Sequence, residues 1–333
     1  MSEKKTVVWL ILLGLMLSGG SLMAQSFSKV GQAGATFLKI DIGARAVAMG
    51  GAQVAATNDA SALFWNPAGI GFLSKRSFHF AYNQWIADIS HSFVAIGMPL
   101  GNIGSVGISL TSLGYGEMEE TTITNPDGTG IMFGANDFAI GLSYARQLTD
   151  KFVTGISVKF VRQKVWDLTA SGICFDIGTI FQTPFEGLRF GVVVTNFGQN
   201  LAFDGQQLIR KDKVYNDITV TSRYETESFQ LPVAFKMGIA YEILRSDMNR
   251  FMIAIDGVHP NDNLEYANFG AEYIWANMVA LRAGYKANTD IQGLSAGAGF
   301  RLALGNVATR FDYAYSDLEF FNGVHRFSVG IDF

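Results

Sequence analysis

The chain has 333 residues, of which 16% are charged and 49% hydrophobic, with 37 Gly, 27 Phe and only 6 Pro. So few charges do not suit an ordinary water-soluble protein, and a medium other than water is expected over much of the surface. The net charge of −4, with no long basic run, excludes nucleic acid as a partner.

The first residues, Met-Ser-Glu-Lys-Lys, precede an apolar run from Val7 to Leu17 and a small-residue stretch ending at Ala24. This is the layout of a secretory signal peptide, expected over 1–24. The apolar run is about 11 residues long, short of the roughly 18 a spanning helix needs. Export follows from this reading. The single cysteine, Cys174, excludes an intramolecular disulfide in the oxidising compartment beyond.

The next segment, 25–74, does not alternate cleanly. It carries Gly-Ala-Arg-Ala-Val-Ala-Met-Gly-Gly-Ala at 43–52 and Asn-Asp-Ala-Ser-Ala-Leu-Phe-Trp-Asn-Pro-Ala-Gly at 58–69. Asp59 is placed to cap a short helix over 60–64, and Asn66 with Pro67 to end it, because proline disfavours helix in the residue before it. About fifty residues of small and amphipathic character suit the filling of a barrel lumen. Trp65 is expected to be buried there, with the Asn66 amide bonded to backbone or wall.

From 75 to 333 apolar residues recur at every second position: Phe78, Phe80 and Tyr82 first, then Val106, Ile108 and Leu110, and so on to Phe311, Tyr313 and Tyr315. With a shorter candidate at 93–98 this makes about fourteen strands of the length a tilted membrane strand needs. An even count returns both ends of the barrel to one side. The chain ends on Phe327, Val329, Ile331 and Phe333, a half-apolar terminal strand of the kind that marks barrels for assembly. Opposite the apolar stripes lie Lys159, Lys236, Glu272, Arg282, Arg301, Arg310, Asp312 and Arg326. Charges on the lipid face would cost roughly 2 to 4 kcal/mol each at mid-membrane, so these are assigned to the lumen. Trp85, Trp166 and Tyr285 are expected in one aromatic girdle, and Tyr144, Tyr241, Tyr273 and Trp275 in the other.

Connections sort into two sets, as outer-membrane barrels with short periplasmic turns and longer outer loops require. One set is short: 99–102, 148–151, 183–187, 276–277 and 304–306, with 242–250 somewhat longer. The other comprises 112–135, 163–171, 197–228, 259–263, 286–292 and 316–323, all polar. A soluble sandwich has no reason to sort its connections by side. The reading is therefore all-β: a transmembrane antiparallel barrel in the bacterial outer membrane, embedded in its lipid and lipopolysaccharide, with an N-terminal plug.

The stretch 38–69, with Arg45, the glycines Gly50 and Gly51, Asn58, Asp59 and the run Trp65-Asn66-Pro67, resembles the PorV/PorQ family of outer-membrane proteins. That family is in turn similar to FadL-type fatty-acid transporters, which carry a related Asn-Pro-Ala segment inside a fourteen-stranded barrel. The resemblance implies a place in the type IX secretion system. It implies binding of the C-terminal signal domains of secreted cargo at the cell surface, and association with the translocon and an attachment complex. The alternative is a FadL-like channel for long-chain fatty acids or other hydrophobic solutes. The long connections 112–135 and 197–228, with Tyr115, Phe133, Phe203, Tyr215 and Tyr224, are the candidate partner-binding loops, since aromatics on a polar rim suit protein recognition.

No enzyme or cofactor chemistry is expected. Gly-Leu-Ser-Ala-Gly at 293–297 matches the nucleophile-elbow pattern, but alternation runs unbroken through it, so Ser295 reads as a small inward strand residue. His79, His91, His259 and His325 show no metal-ligand spacing, and the loop acids Asp256, Asp262 and Glu265, of a kind that could bind Ca²⁺, read first as solvated charge.

Overall fold

The computed structural model describes residues 30–215, 218–319 and 321–333; the expected signal peptide lies outside them. Fourteen strands close into one antiparallel barrel. They are β1 (Ser77–Gln84), β2 (Ser90–Pro99), β3 (Ser105–Glu119), β4 (Met132–Thr149), β5 (Phe152–Val165), β6 (Leu168–Gln182) and β7 (Leu188–Gly198), then β10 to β16. Between them β8 (Ile209–Tyr215) and β9 (Ile218–Arg223) form a separate hairpin, after which the wall resumes with β10 (Ala234–Arg245) paired to β7. It continues through β11 (Arg250–Pro260), β12 (Tyr266–Trp275), β13 (Val279–Ala287), β14 (Gln292–Leu304), β15 (Val307–Leu318) and β16 (Phe321–Asp332). β1 pairs β16 from Ser77↔Asp332 to Asn83↔Arg326, and Arg76 exchanges backbone hydrogen bonds with Phe333. Both ends of the barrel therefore lie on one side. Closure leaves no open sheet edge, the condition for crossing lipid with strands.

Alternation sets the two faces. Ile156, Val158 and Phe160 of β5 point outward, as do Phe269 and Tyr273 of β12 and Phe327 of β16, while Gly270, Glu272 and Arg326 are buried within. Phe327, Val329, Ile331 and Phe333 share the outward face of the last strand. Tyr144, Tyr241, Tyr273, Trp275 and Tyr285 are exposed on the outer wall. Trp85 departs from the girdle reading: the Arg326 guanidinium lies 5.2 Å from its ring centre, over its face, so the indole covers a lumen charge instead of facing lipid.

The turns at the terminal end are short: 100–104, 150–151, 183–187, 246–249, 276–278 and 305–306. The opposite end differs from expectation. Residues 112–135 are not a loop: β3 runs on to Glu119 and β4 starts at Met132, leaving 120–131. Likewise 163–171 shrinks to the two-residue turn Trp166-Asp167 between β5 and β6. Beyond the lipid both faces of a strand meet water, so polar alternation stops while backbone pairing continues. Apolar alternation runs from Leu231 through Val233 and Phe235 to Tyr241, but the strand begins at Ala234, and Leu231 packs inward with Leu201.

The segment 30–73 lies within the ring of strands. It enters at the loop end, where Ala33 bridges Gln230 and the Gly31 N–H donates to the Asp262 carbonyl. It leaves at the turn end, where Leu73 is followed by Arg76 and β1.

Candidate functional site

Within the lumen, the helix Ala44–Ala48 ends where two glycines follow. Gly50 and Gly51 have φ of 64° and 81°, and their N–H groups donate back to the Val47 and Ala46 carbonyls. This is a Schellman stop, which needs a left-handed residue that only glycine adopts without cost. Gly50 also touches the wall so closely that a Cβ there would stand 2.8 Å from the Phe269 carbonyl oxygen. The wall answers in kind: a Cβ on Gly284 or Gly178 would overlap Gly50 or Asn66. Glycine on both partners lets backbone lie against barrel.

Arg45, on that helix, makes a bidentate pair with Glu272 of β12, both contacts 2.9 Å. Glu272 is shared with Arg282, which also reaches Asp312, both buried. Asp41 pairs with Lys286 at 2.5 Å, Lys39 with Asp262 at 2.5 Å, and Asp59 with Arg310 at 2.7 Å. Each joins the segment to a different site on the β11–β16 wall. Asp256, read from sequence as solvated, instead accepts the Gln53 and Val54 N–H groups and is 1% exposed. Its inward phase, opposite the outward Ile253 and Ile255, was the available signal.

The second motif starts differently from expectation. Asp59 does not cap a helix at 60; its Oδ1 accepts from the Ser61 N–H and hydroxyl, and the helix runs Ala62–Trp65. Asn66 is extended at φ −160°, as the following proline requires. Its Oδ1 accepts from the Ala68 N–H at 3.1 Å, opening the 3-10 turn Pro67–Phe72. Its Nδ2 donates to the Val54 and Thr179 carbonyls at 2.8 and 3.2 Å, tying segment to segment and segment to β6. Trp65 is 2% exposed, edge-on to Phe64, with the Lys236 ammonium 5.7 Å from its ring centre. Asn58 is the exposed member of the motif and lines a cavity at the turn end. Ser295 is buried on β14, its hydroxyl facing the Ala48 carbonyl.

The loop-end aromatics divide into two groups. Tyr115 points inward, its hydroxyl donating to Asp137 at 2.8 Å, and Phe203 packs on Phe229 beside the buried Leu201. Phe133 stacks on Trp166 at 5.1 Å and 13° above the tall β3–β6 wall, with Met118, Ile131, Met132 and Val165 exposed nearby. Tyr224 is exposed after the β8–β9 hairpin, its hydroxyl accepting from Arg210. Tyr215 ends β8. Structure thus brings the plug-motif residues together on the wall and separates the loop aromatics into an inner and an outer set.

Comparison with known proteins places this arrangement. A family model described as "Type IX secretion system protein PorV" matches residues 23–256. No curated protein matches the sequence. Among solved structures, the Pseudomonas putida toluene transporter TodX superposes with a TM-score of 0.58 at 12% identity, covering 87% of this chain and 96% of that one. A Pseudomonas aeruginosa FadL homologue gives 0.54 at 10% identity, covering 88% and 98%. At such identities the likeness is one of fold.

Proposed function

The chain belongs to the PorV family and is a bacterial outer-membrane β-barrel of the type IX secretion system; from that premise we propose that it receives secreted cargo on its loop-end rim while the N-terminal segment plugs the lumen. The observation that carries this reading is the height of the β3–β6 wall. β4 has 18 residues, about 60 Å of strand, where a tilted membrane strand needs about 9 to 11 residues. Extra length of this kind does nothing for spanning and supplies a rigid surface above the membrane. Its crest bears the Phe133–Trp166 stack amid exposed Met and Ile side chains, a composition enriched at protein interfaces.

In this reading the C-terminal signal domain of a cargo protein rests on that crest, and the translocon and attachment partners take the neighbouring rim that includes Tyr224. The outward aromatic and aliphatic stripes contact lipid, with lipopolysaccharide at the outer level. Residues 1–24 direct export, and the terminal strand with Phe333 directs assembly. Binding and hand-over require no catalysis by this chain. A plug role for 30–73 is supported by four ion pairs to the wall and by glycines on both sides of the contact.

The test is removal of 120–131 in a host with a type IX system, with cargo measured in medium, surface and periplasm and uptake of a labelled fatty acid measured alongside. The expected outcome is an assembled barrel, cargo held unprocessed or in the periplasm, and unchanged uptake. Normal cargo distribution with impaired uptake would favour the hydrophobic-solute channel instead.

A further inference from the structure

At the turn end a cavity of about 190 Å³ lies between the segment and the β10–β16 wall, bordered by Asn277 and Met278 of the β12–β13 turn. Six arginines line it against five carboxylates. All five carboxylates are engaged. Glu272 holds Arg45 and Arg282, and Asp312 holds Arg282. Asp59 and Asp332 share Arg310, and Glu242 lies 3.8 Å from Arg189. Two arginines remain, Arg250 at the start of β11 and Arg301 on β14.

Among the described residues neither side chain has an ion pair or hydrogen bond, and the Arg250 Nε is buried without an acceptor. The strands between them contribute Ile274 and Ala280 at that level of the cavity, and the acid that faces Arg301, Asp332, is already shared with Arg310. A guanidinium drawn out of water without a partner is unfavourable, and its planar fork of donors suits an oxyanion. Because the two forks come from non-adjacent strands, a tetrahedral oxyanion answers them better than a flat carboxylate, each fork taking a different pair of oxygens.

We propose that this turn-end cavity is a binding site for a phosphate group, held between Arg250 and Arg301. Its position at the periplasmic mouth makes two sources reachable, a soluble periplasmic phosphate and the headgroup of an inner-leaflet lipid. Neither depends on the cargo reading.

The test is calorimetric titration of inorganic phosphate into the full-length protein as purified from membranes in a nonionic detergent, against chloride at matched ionic strength. Saturable binding with a Kd on the order of 1 mM or tighter is expected, weakened about tenfold in Arg250→Gln and in Arg301→Gln. Glycerol phosphate binding as well as inorganic phosphate assigns the site to soluble anions. A short-chain phosphatidic acid that binds about tenfold more tightly and displaces phosphate assigns it to lipid. Heat-modifiability reports folding of each variant, and should Arg250→Gln fail to assemble, the half-exposed Arg301 carries the test. Absence of phosphate-specific heat in the wild type, or equal affinity in a folded variant, would overturn the proposal.

Discussion

On the β2–β6 side of the lumen, the N-terminal segment meets mainly apolar residues: Phe93, Ala95, Leu113, Ala139 and Val161 cluster with Phe37, Leu38, Leu63 and Trp65, and Val153 packs on Ala68. On the β11–β16 side the charged residues Asp256, Asp262, Glu272, Lys286 and Arg310 are each bonded to a named partner on the segment. Ion pairs to the segment lie on the second side, which adds them to small apolar contacts such as Val47 and Ala48 on Ala314, whereas the first side holds the segment by larger apolar contacts and a few neutral hydrogen bonds. Packing alone tolerates sliding by small steps, whereas an ion pair in a low-dielectric interior fails if its partner shifts, so the charged wall fixes register and the apolar wall supplies contact area. The Lys159–Asp176 pair of β5 and β6 does not break this division, since it joins wall to wall. The apolar wall is also the tall one, and its outer extension is where partner binding is proposed.

The contrast is most severely tested at Glu272. Glu272→Leu strips the partner from Arg45 and one of two partners from Arg282, and a loss of about 3 to 5 kcal/mol is expected from breaking a buried network. Urea midpoints in detergent measure it, and a cysteine placed at Trp65 in that background should become open to bulky thiol reagents. On the opposite wall Phe93→Ala should cost about 3 kcal/mol or slightly more through a cavity, with the Trp65 site still protected. The two changes sit on opposite walls, so their costs should add to within about 0.5 kcal/mol; strong coupling would mean that the division into two independent grips is wrong. Asn66→Ala comes next, at about 1 to 3 kcal/mol, because the Val54 and Thr179 carbonyls lose their donor. Smallest is removal of 120–131, for which a change in barrel stability under about 0.5 kcal/mol is expected, because that connection touches neither wall's grip on the segment.

How much of this could be read from sequence depends on which face a residue serves. Strands such as β5 and β12 announce themselves because lipid outside and small or charged groups inside give clean alternation. β2 did so only faintly: its inward Phe93 and Ala95 are apolar because they pack the segment, so both faces read alike. The lumen assignment of Glu272, Arg282 and Arg310 followed from phase alone. Their partners did not, since pairing Arg45 with Glu272 across 227 positions requires the closed register. Asp256 and Asp262 read as solvated acids because their partners, the Gln53 and Val54 N–H groups and the Lys39 ammonium, lie more than 200 positions away. The outer ends of β3 and β4 read as loop because alternation reports on lipid, and both strands continue where lipid has stopped. Tyr115 and Trp85 show the same difficulty: an aromatic near a strand end turns inward or outward according to what the lumen presents, and that is a tertiary fact.

In the proposed function the molecule works through the crest of its tall wall while its lumen stays filled. A photo-crosslinking residue placed at Phe133, in cells actively secreting, tests it most directly, with the same residue at Asn277 in the β12–β13 turn as the opposite-end control. The expected product is a covalent adduct between position 133 and the C-terminal signal domain of a secreted protein, with none from position 277. Cargo adducts confined to position 277, or no adduct at 133 while secretion proceeds normally, would contradict it.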